Sequence, residues 1–211
     1  MAKLTLYGTP DSTYVRTTRL LLEEAEIDYD LESVGIFNGE NETAAYLAKN
    51  PFGKVPTLDI GGELLYETAA IAPYLDAVFA STQFTPAEPV AQARMRQVIS
   101  IVDSYLYAPA VGSIVIQRLI VPQQGGQADE AEVKAAVEPA QKAVNAIEAI
   151  AVGNPYVLGD RLSLADFYLM PIFKYLSQTP EFESVMAEAP KLKAWWQKVQ
   201  ELPSFQKVCA A

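Results

Sequence analysis

The stretch Asn50–Thr68, NPFGKVPTLDIGGELLYET, decides the fold. Two short apolar runs, TLDI and ELLY, flank Gly61-Gly62, and a glycine pair between strand-like runs is the chemistry of a tight hairpin turn. Pro56 stands just ahead of the first of these strands. In a tight turn such a proline is able to adopt the cis form and turn the backbone of Val55 sideways to pair with an extended peptide. An ordinary trans turn is the commoner case, since about 5–6% of X–Pro bonds are cis. Glu67 and Thr68 lie where the second strand gives way to a helix. They read either as caps facing the positive end of the helix dipole, the commoner role, or as a receptor for the carboxylate and ammonium of an amino-acid head group.

Upstream of this stretch, KLTLY alternates as a strand, GTPDST is turn chemistry, and YVRTTRLLLEEA has helical period. IDYDLESV alternates again, and the polar stretch from Asn38 to Asn50 holds at most a short helix around Ala44 to Ala48. Downstream, a helix begins near Thr68 and carries Pro73, whose missing N–H and ring are expected to bend it or confine its regular part. The order is β-α-β, a connector, then β-β-α. A polar linker, STQFTPAEP, follows. From Val90 onward the pattern is only helical: a long segment to about Ile120, a break at VPQQGG, a second from Asp129 to Ile150, and shorter ones after Leu164, Pro190 and Pro203. The expected fold is therefore α/β plus all-α, with domains at 1–80 and 90–211 joined by a linker at 81–89.

Composition narrows the chemistry. The 211 residues carry a formal charge of −10, which repels nucleic-acid phosphates and anionic membranes where no Lys/Arg cluster offsets it. There is no histidine, which removes most zinc sites, Ser/His/Asp triads and histidine bases, and no metal is expected. The one cysteine, Cys209, forms no internal disulfide and no CxxC pair. MAKLTLYG lacks a signal-peptide h-region, and no run approaches the roughly 20 apolar residues that span a bilayer, so a soluble cytoplasmic protein is expected.

Ser12 and Thr13 open the first helix. As an N-cap, Ser12 contributes about 1 kcal/mol. The same geometry also suits a thiolate, which helix N-termini and hydroxyl donors stabilise. Lowering a thiol pKa from about 8.5 by two units requires about 2.7 kcal/mol. A hydrogen bond to a charged acceptor supplies roughly 1.5–3 kcal/mol and the helix end roughly 0.3–1 kcal/mol, so the sum reaches the requirement with little to spare. In GDRLSLADF, Ser163 and Asp166 form a capping box with Asp in place of Glu/Gln, and this pair reads as structural.

Taken in this order, the motifs resemble the cytosolic glutathione transferases over essentially the whole chain. LYGTPDSTYV and NPFGKVPTL are most similar to the phi-type, serine-dependent branch and its bacterial relatives. The resemblance implies a thioredoxin-like first domain that binds glutathione and a helical second domain that walls the pocket of an electrophile. It implies a cytoplasmic homodimer engaged in detoxification, with glutathione as co-substrate and no tightly bound cofactor. By motif, Ser12 is the thiolate-stabilising hydroxyl, Val55 pairs through its backbone with the cysteinyl part, Pro56 is the cis proline, and Glu67 and Thr68 take the γ-glutamyl end. Lys54 is the nearby cation for the glycine carboxylate. Tyr7 is the rival to Ser12, because other branches use a tyrosine at the end of this strand.

One departure stands out. Where the phi-type pattern has a histidine and a lysine, this chain has Asn41 and Glu42, which is expected to weaken the glycine end unless another residue compensates; Arg16 is a candidate, although a salt bridge on the first helix is its commoner role. The electrophile pocket is expected to draw on the Gly35–Phe37 loop and on the helix bearing Tyr105, Tyr107, Val111 and Val115, although such an apolar stripe is more often core. The resemblance also implies that Asp103, on that helix, could reach glutathione across a dimer interface, as in some relatives. The alternatives are a non-catalytic binding module for glutathione or an apolar ligand, or a glutathione-dependent peroxidase, dehalogenase or isomerase. A translation-factor subunit would carry a further C-terminal domain, and thiol transfer would need a cysteine near position 12.

Overall fold

The computed structural model describes residues 3–209. Two compact units divide it, one running to Gln83 and resuming at Pro203, the other Phe84–Leu202. The first holds β1 (Leu4–Tyr7), α1 (Thr13–Glu24), β2 (Asp30–Glu32), a 3-10 turn at Glu40–Glu42, α2 (Ala44–Leu47), β3 (Thr57–Ile60), β4 (Glu63–Tyr66) and α3 (Thr68–Phe79). The four strands form one sheet in the order β2-β1-β3-β4. β1 pairs parallel with β2 and antiparallel with β3, and β3–β4 is the hairpin expected at Gly61-Gly62.

Alternation builds this unit's core. Leu4 and Leu6 of β1 and Leu58 of β3 are buried, Leu6 lies opposite Leu58, and Val15, Leu21 and Leu22 of α1 are buried with them. β2 is shorter than IDYDLESV suggests. Ile27, Tyr29 and Leu31 do alternate with exposed Asp28, Asp30 and Glu32, but β2 is an edge strand and only three of its residues find a partner on β1. α3 runs through Pro73 as one helix, with the proline on its exposed side. The last helix belongs to this unit and packs on α1. Its Lys207 meets Glu23 at 2.5 Å, and Ser204 Oγ donates to Glu24 at 2.5 Å.

The second unit is helical throughout: α4 (Pro89–Ile101), π-helical turns at Val102–Leu106 and Ala108–Ile120, α5 (Val121–Gln123), α6 (Glu130–Ile150), α7 (Leu164–Leu176), α8 (Phe182–Val185) and α9 (Pro190–Val199), after which α10 (Pro203–Cys209) belongs to the first unit. The long helix expected from Val90 is real but widened. Tyr107 N–H bonds Val102 C=O and Val121 N–H bonds Ile116 C=O, both i→i+5, and the helix bends by 49° beside Pro109, which lacks an N–H. α7 is buried along its length from Leu164 to Phe173, as a central core helix must be. Its N-terminus is the expected capping box, with Ser163 N–H and Oγ donating to Asp166 at 2.8 and 2.7 Å. Among the described residues no single helix is long and apolar enough to cross a membrane.

Candidate active site

Register assembles the site. Tyr7 lies opposite Thr57, and Thr57 opposite Tyr66. The loop after β1, the loop before β3 and the turn after β4 therefore emerge side by side at one end of the sheet, carrying Ser12, Lys54–Pro56 and Glu67–Thr68 respectively.

Ser12 occupies the N-cap position of α1 with φ −67° and ψ 134°, and its carbonyl accepts from Arg16 N–H at 2.9 Å. Its hydroxyl makes no capping bond. Thr13 is buried, so of the two hydroxyls opening this helix it is half-buried Ser12 that faces outward. The loop is pinned from within. Arg16, 2% exposed, donates through Nε to Pro10 C=O at 3.1 Å and pairs with Asp11 at 2.8 Å. Arg16 thus builds the loop, and its salt bridge rather than a ligand explains it.

Gly8 brings this loop against the one before β3. Its φ is +154°, and a Cβ there would stand 2.4 Å from Val15 Cγ2 and 3.1 Å from Val55 Cβ. Gly8→Ala is therefore expected to cost about 1–3 kcal/mol through overpacking and to lower turnover by moving Ser12 and Val55 apart. Thermal unfolding and steady-state kinetics of the variant check both.

The segment Asn50–Pro56 is held by side chains of α2 and its flanks. Tyr46 hydroxyl donates to Lys54 C=O at 2.7 Å, which leaves it to accept from Thr57 Oγ1 at 2.9 Å. Burial pushes the Tyr46 phenol up, so it stays protonated and donating. Asn50 Nδ2 also donates to Lys54 C=O at 2.8 Å, its Oδ1 accepts from Phe52 N–H at 3.0 Å, and Asn41 Nδ2 donates to Gly53 C=O at 2.8 Å. The Val55–Pro56 bond is cis. Among the described residues nothing hydrogen-bonds the backbone N–H or C=O of Val55, which is half-exposed. Lys54 is exposed.

Glu67 corrects the capping reading. It sits at the N-cap position of α3 but at φ 70° and ψ 116°, far from the extended conformation that lets a side chain cap, and its carboxylate makes no cap bond. A non-glycine residue there stores strain of about 1–3 kcal/mol, which is typical of functional positions. Glu67 is exposed and Thr68 buried.

Tyr7 ends β1 and, being paired directly with Thr57, shares its face with Thr57 and Tyr46. Lys49 Nζ lies 4.4 Å above its ring. In the helical unit, Val111 and Val115 are core, Tyr107 is half-buried with its phenol pushed up by burial, and Tyr105 and Asp103 are exposed. The roles of Tyr46, Asn50 and Lys49 escaped the sequence reading. Nothing in the sequence pattern tells which carbonyls these side chains hold.

A mixed sheet in this order with helices packed on it, followed by an all-helical unit, defines the class: a thioredoxin-like domain joined to a helical domain. Residues 6–83 match "Glutathione S-transferase, N-terminal domain" and residues 106–203 "Glutathione S-transferase, C-terminal domain". Glutathione S-transferase 3 of Zea mays is 35% identical over 213 positions, covering 100% of this chain and 95% of that protein. Glutathione transferase F7 from Populus trichocarpa superposes with a TM-score of 0.86 at 33% identity, over 98% of each chain. Maize glutathione S-transferase I, solved in complex with an atrazine glutathione conjugate, gives a TM-score of 0.84 at 32% identity over 99% of this chain and 97% of that one.

The chain belongs to the glutathione S-transferase family, and its relatives include phi-class enzymes of plants. It is a transferase that uses glutathione as co-substrate to conjugate electrophiles.

Proposed function

We propose that the hydroxyl of Ser12 donates to the sulfur of bound glutathione and holds it as a thiolate at the N-terminus of α1. The observation that carries this reading is the Ser12 hydroxyl itself, half-buried at a helix N-terminus and not engaged in capping it. The γ-glutamyl ammonium meets Glu67, its carboxylate meets Thr68 and the amides that open α3, and the cysteinyl backbone pairs with Val55 as an added strand would. Lys54 faces the glycine carboxylate. The ring of Tyr7, under Lys49 and on the face of Thr57, supports Ser12 over Tyr7 as the thiol partner.

With the tripeptide held, the thiolate attacks an electrophilic carbon. On an activated aryl chloride the C–S bond forms, the C–Cl bond breaks, and chloride leaves with the electron pair. The enzyme acts on small hydrophobic electrophiles as a cytoplasmic homodimer. Incubating the protein with glutathione and such a chloride is expected to release chloride and thioether in equal amounts. Release that is no faster than in buffer sinks the reading.

A further inference from the structure

On a chain with a net charge of −10, a cation without an acid beside it is conspicuous. The described residues of the sheet unit contain Lys3, Arg16, Arg19, Lys49, Lys54 and Lys207. Lys3 pairs with Asp30 at 2.6 Å, Arg16 with Asp11 and Lys207 with Glu23, while Arg19 donates to Tyr29 hydroxyl at 3.2 Å. Among the described residues Arg19 is tied to Tyr29 and Pro10, whereas Lys49 and Lys54 have neither a carboxylate nor any other hydrogen-bond acceptor as partner, and they flank the loop that ends in Val55.

Lys49 is also the better placed of the two. Its ammonium rests 4.4 Å over the Tyr7 ring, which limits the freedom of a side chain that is otherwise floppy. The sheet order then gives the direction of a bound tripeptide. Its glutamyl end belongs at Glu67–Thr68, after β4, and its cysteinyl part at Val55, before β3. β1 lies on the far side of β3 from β4, with neighbouring strands about 4.8 Å apart. A peptide laid across these strand ends in that order carries its third residue toward β1, whose last residue is Tyr7.

We propose that Lys49, held on the ring of Tyr7, is the second cation that binds the glycine carboxylate of glutathione alongside Lys54. The proposal rests on the glutathione reading above. It answers how the glycine end is held although Asn41 is engaged with Gly53 and Glu42 is acidic. Tyr7 is a positioning residue here, acting through Lys49.

The test compares binding of glutathione with that of its glycine monoethyl ester, which lacks the carboxylate, by titration calorimetry. Wild type, Lys49→Met, Lys49→Gln, Lys49→Arg and Tyr7→Leu are compared, each shown to unfold cooperatively. A charge-assisted contact predicts that wild type prefers glutathione over the ester by about tenfold more than either neutral variant does, and that Lys49→Arg keeps most of this preference. Tyr7→Leu is expected to lose part of it, with KM for glutathione raised and kcat unchanged. A wild type that binds glutathione while Lys49→Met and Lys49→Gln retain the full preference overturns the assignment alone. A wild type that binds neither ligand overturns the glutathione reading and this proposal with it.

Discussion

Replacing Ser12 by alanine is expected to leave a folded enzyme that turns over roughly 10- to 150-fold more slowly near neutral pH, the factor that corresponds to a lost hydrogen bond to a charged acceptor. The fold survives for a structural reason. An N-cap serine replaced by alanine ordinarily costs about 1 kcal/mol, and here the hydroxyl makes no cap bond, so less is lost. Glutathione is expected still to bind, because the contacts proposed at Val55, Glu67 and Thr68 are untouched. The deficit is therefore expected in kcat rather than KM, and it shrinks as pH rises toward the thiol's ordinary range, where ionisation needs no help. Steady-state kinetics from pH 6 to 9 read both features. A variant with unimpaired turnover would remove Ser12 from the mechanism and promote Tyr7.

The largest effect on stability is expected at Asp166, in the helical unit. Its Oδ1 accepts from Val157 N–H at 2.9 Å and Trp195 Nε1–H at 2.8 Å, and its Oδ2 from Ser163 N–H and Oγ–H. Asp166→Ala leaves three of these donors buried with no acceptor, and at about 1–3 kcal/mol for each the sum is comparable with the whole stability of a domain. The variant is expected to lose cooperative unfolding or to melt roughly 10–30 °C lower. Ser163→Ala removes only a hydroxyl that can otherwise turn to a new partner, and is expected to cost about 1 kcal/mol. Trp195 and Trp196 are the chain's two tryptophans, and Trp195 stacks edge-on against Phe173 at 5.2 Å, so intrinsic fluorescence reports this site directly. Burial pushes the Asp166 carboxyl up against the pull of its donors. With the folded value above the unfolded one, its contribution is full below the ordinary carboxylate range and is lost as pH rises through the folded value. Asp166→Asn, which does not ionise, is expected to lose that pH slope.

Much of this was legible from local chemistry. Gly61-Gly62 fixed the hairpin, and Ser163 with Asp166 announced the start of α7, because turns and caps depend on neighbours in sequence. Ser12, Val55 and Glu67 stand in motifs, and register brings the loops that carry them to one end of the sheet. What stayed hidden depends on distant groups. Whether Glu67 caps its helix is decided by backbone angles that the residue type leaves open, and Ser12, with angles that allow a cap, makes none. The salt bridge expected of Arg16 is present, but that it forms with Asp11 of the preceding loop, beside a bond to Pro10 C=O, depends on the loop's path. Lys49 offered no pattern, since its neighbour is Tyr7, 42 positions upstream and on another element. The width of the long helix was equally invisible, because an apolar stripe with Pro109 in it does not announce i→i+5 bonding.

The central claim, that Ser12 holds glutathione as a thiolate, is tested most directly by the ultraviolet absorbance of the bound thiolate as a function of pH, in wild type and in Ser12→Ala. The account predicts a bound thiol titrating about two units below the ordinary value of about 8.5 in wild type, and most of the way back toward it in the variant. Equal titration curves for the two proteins, with glutathione bound to both, would contradict it.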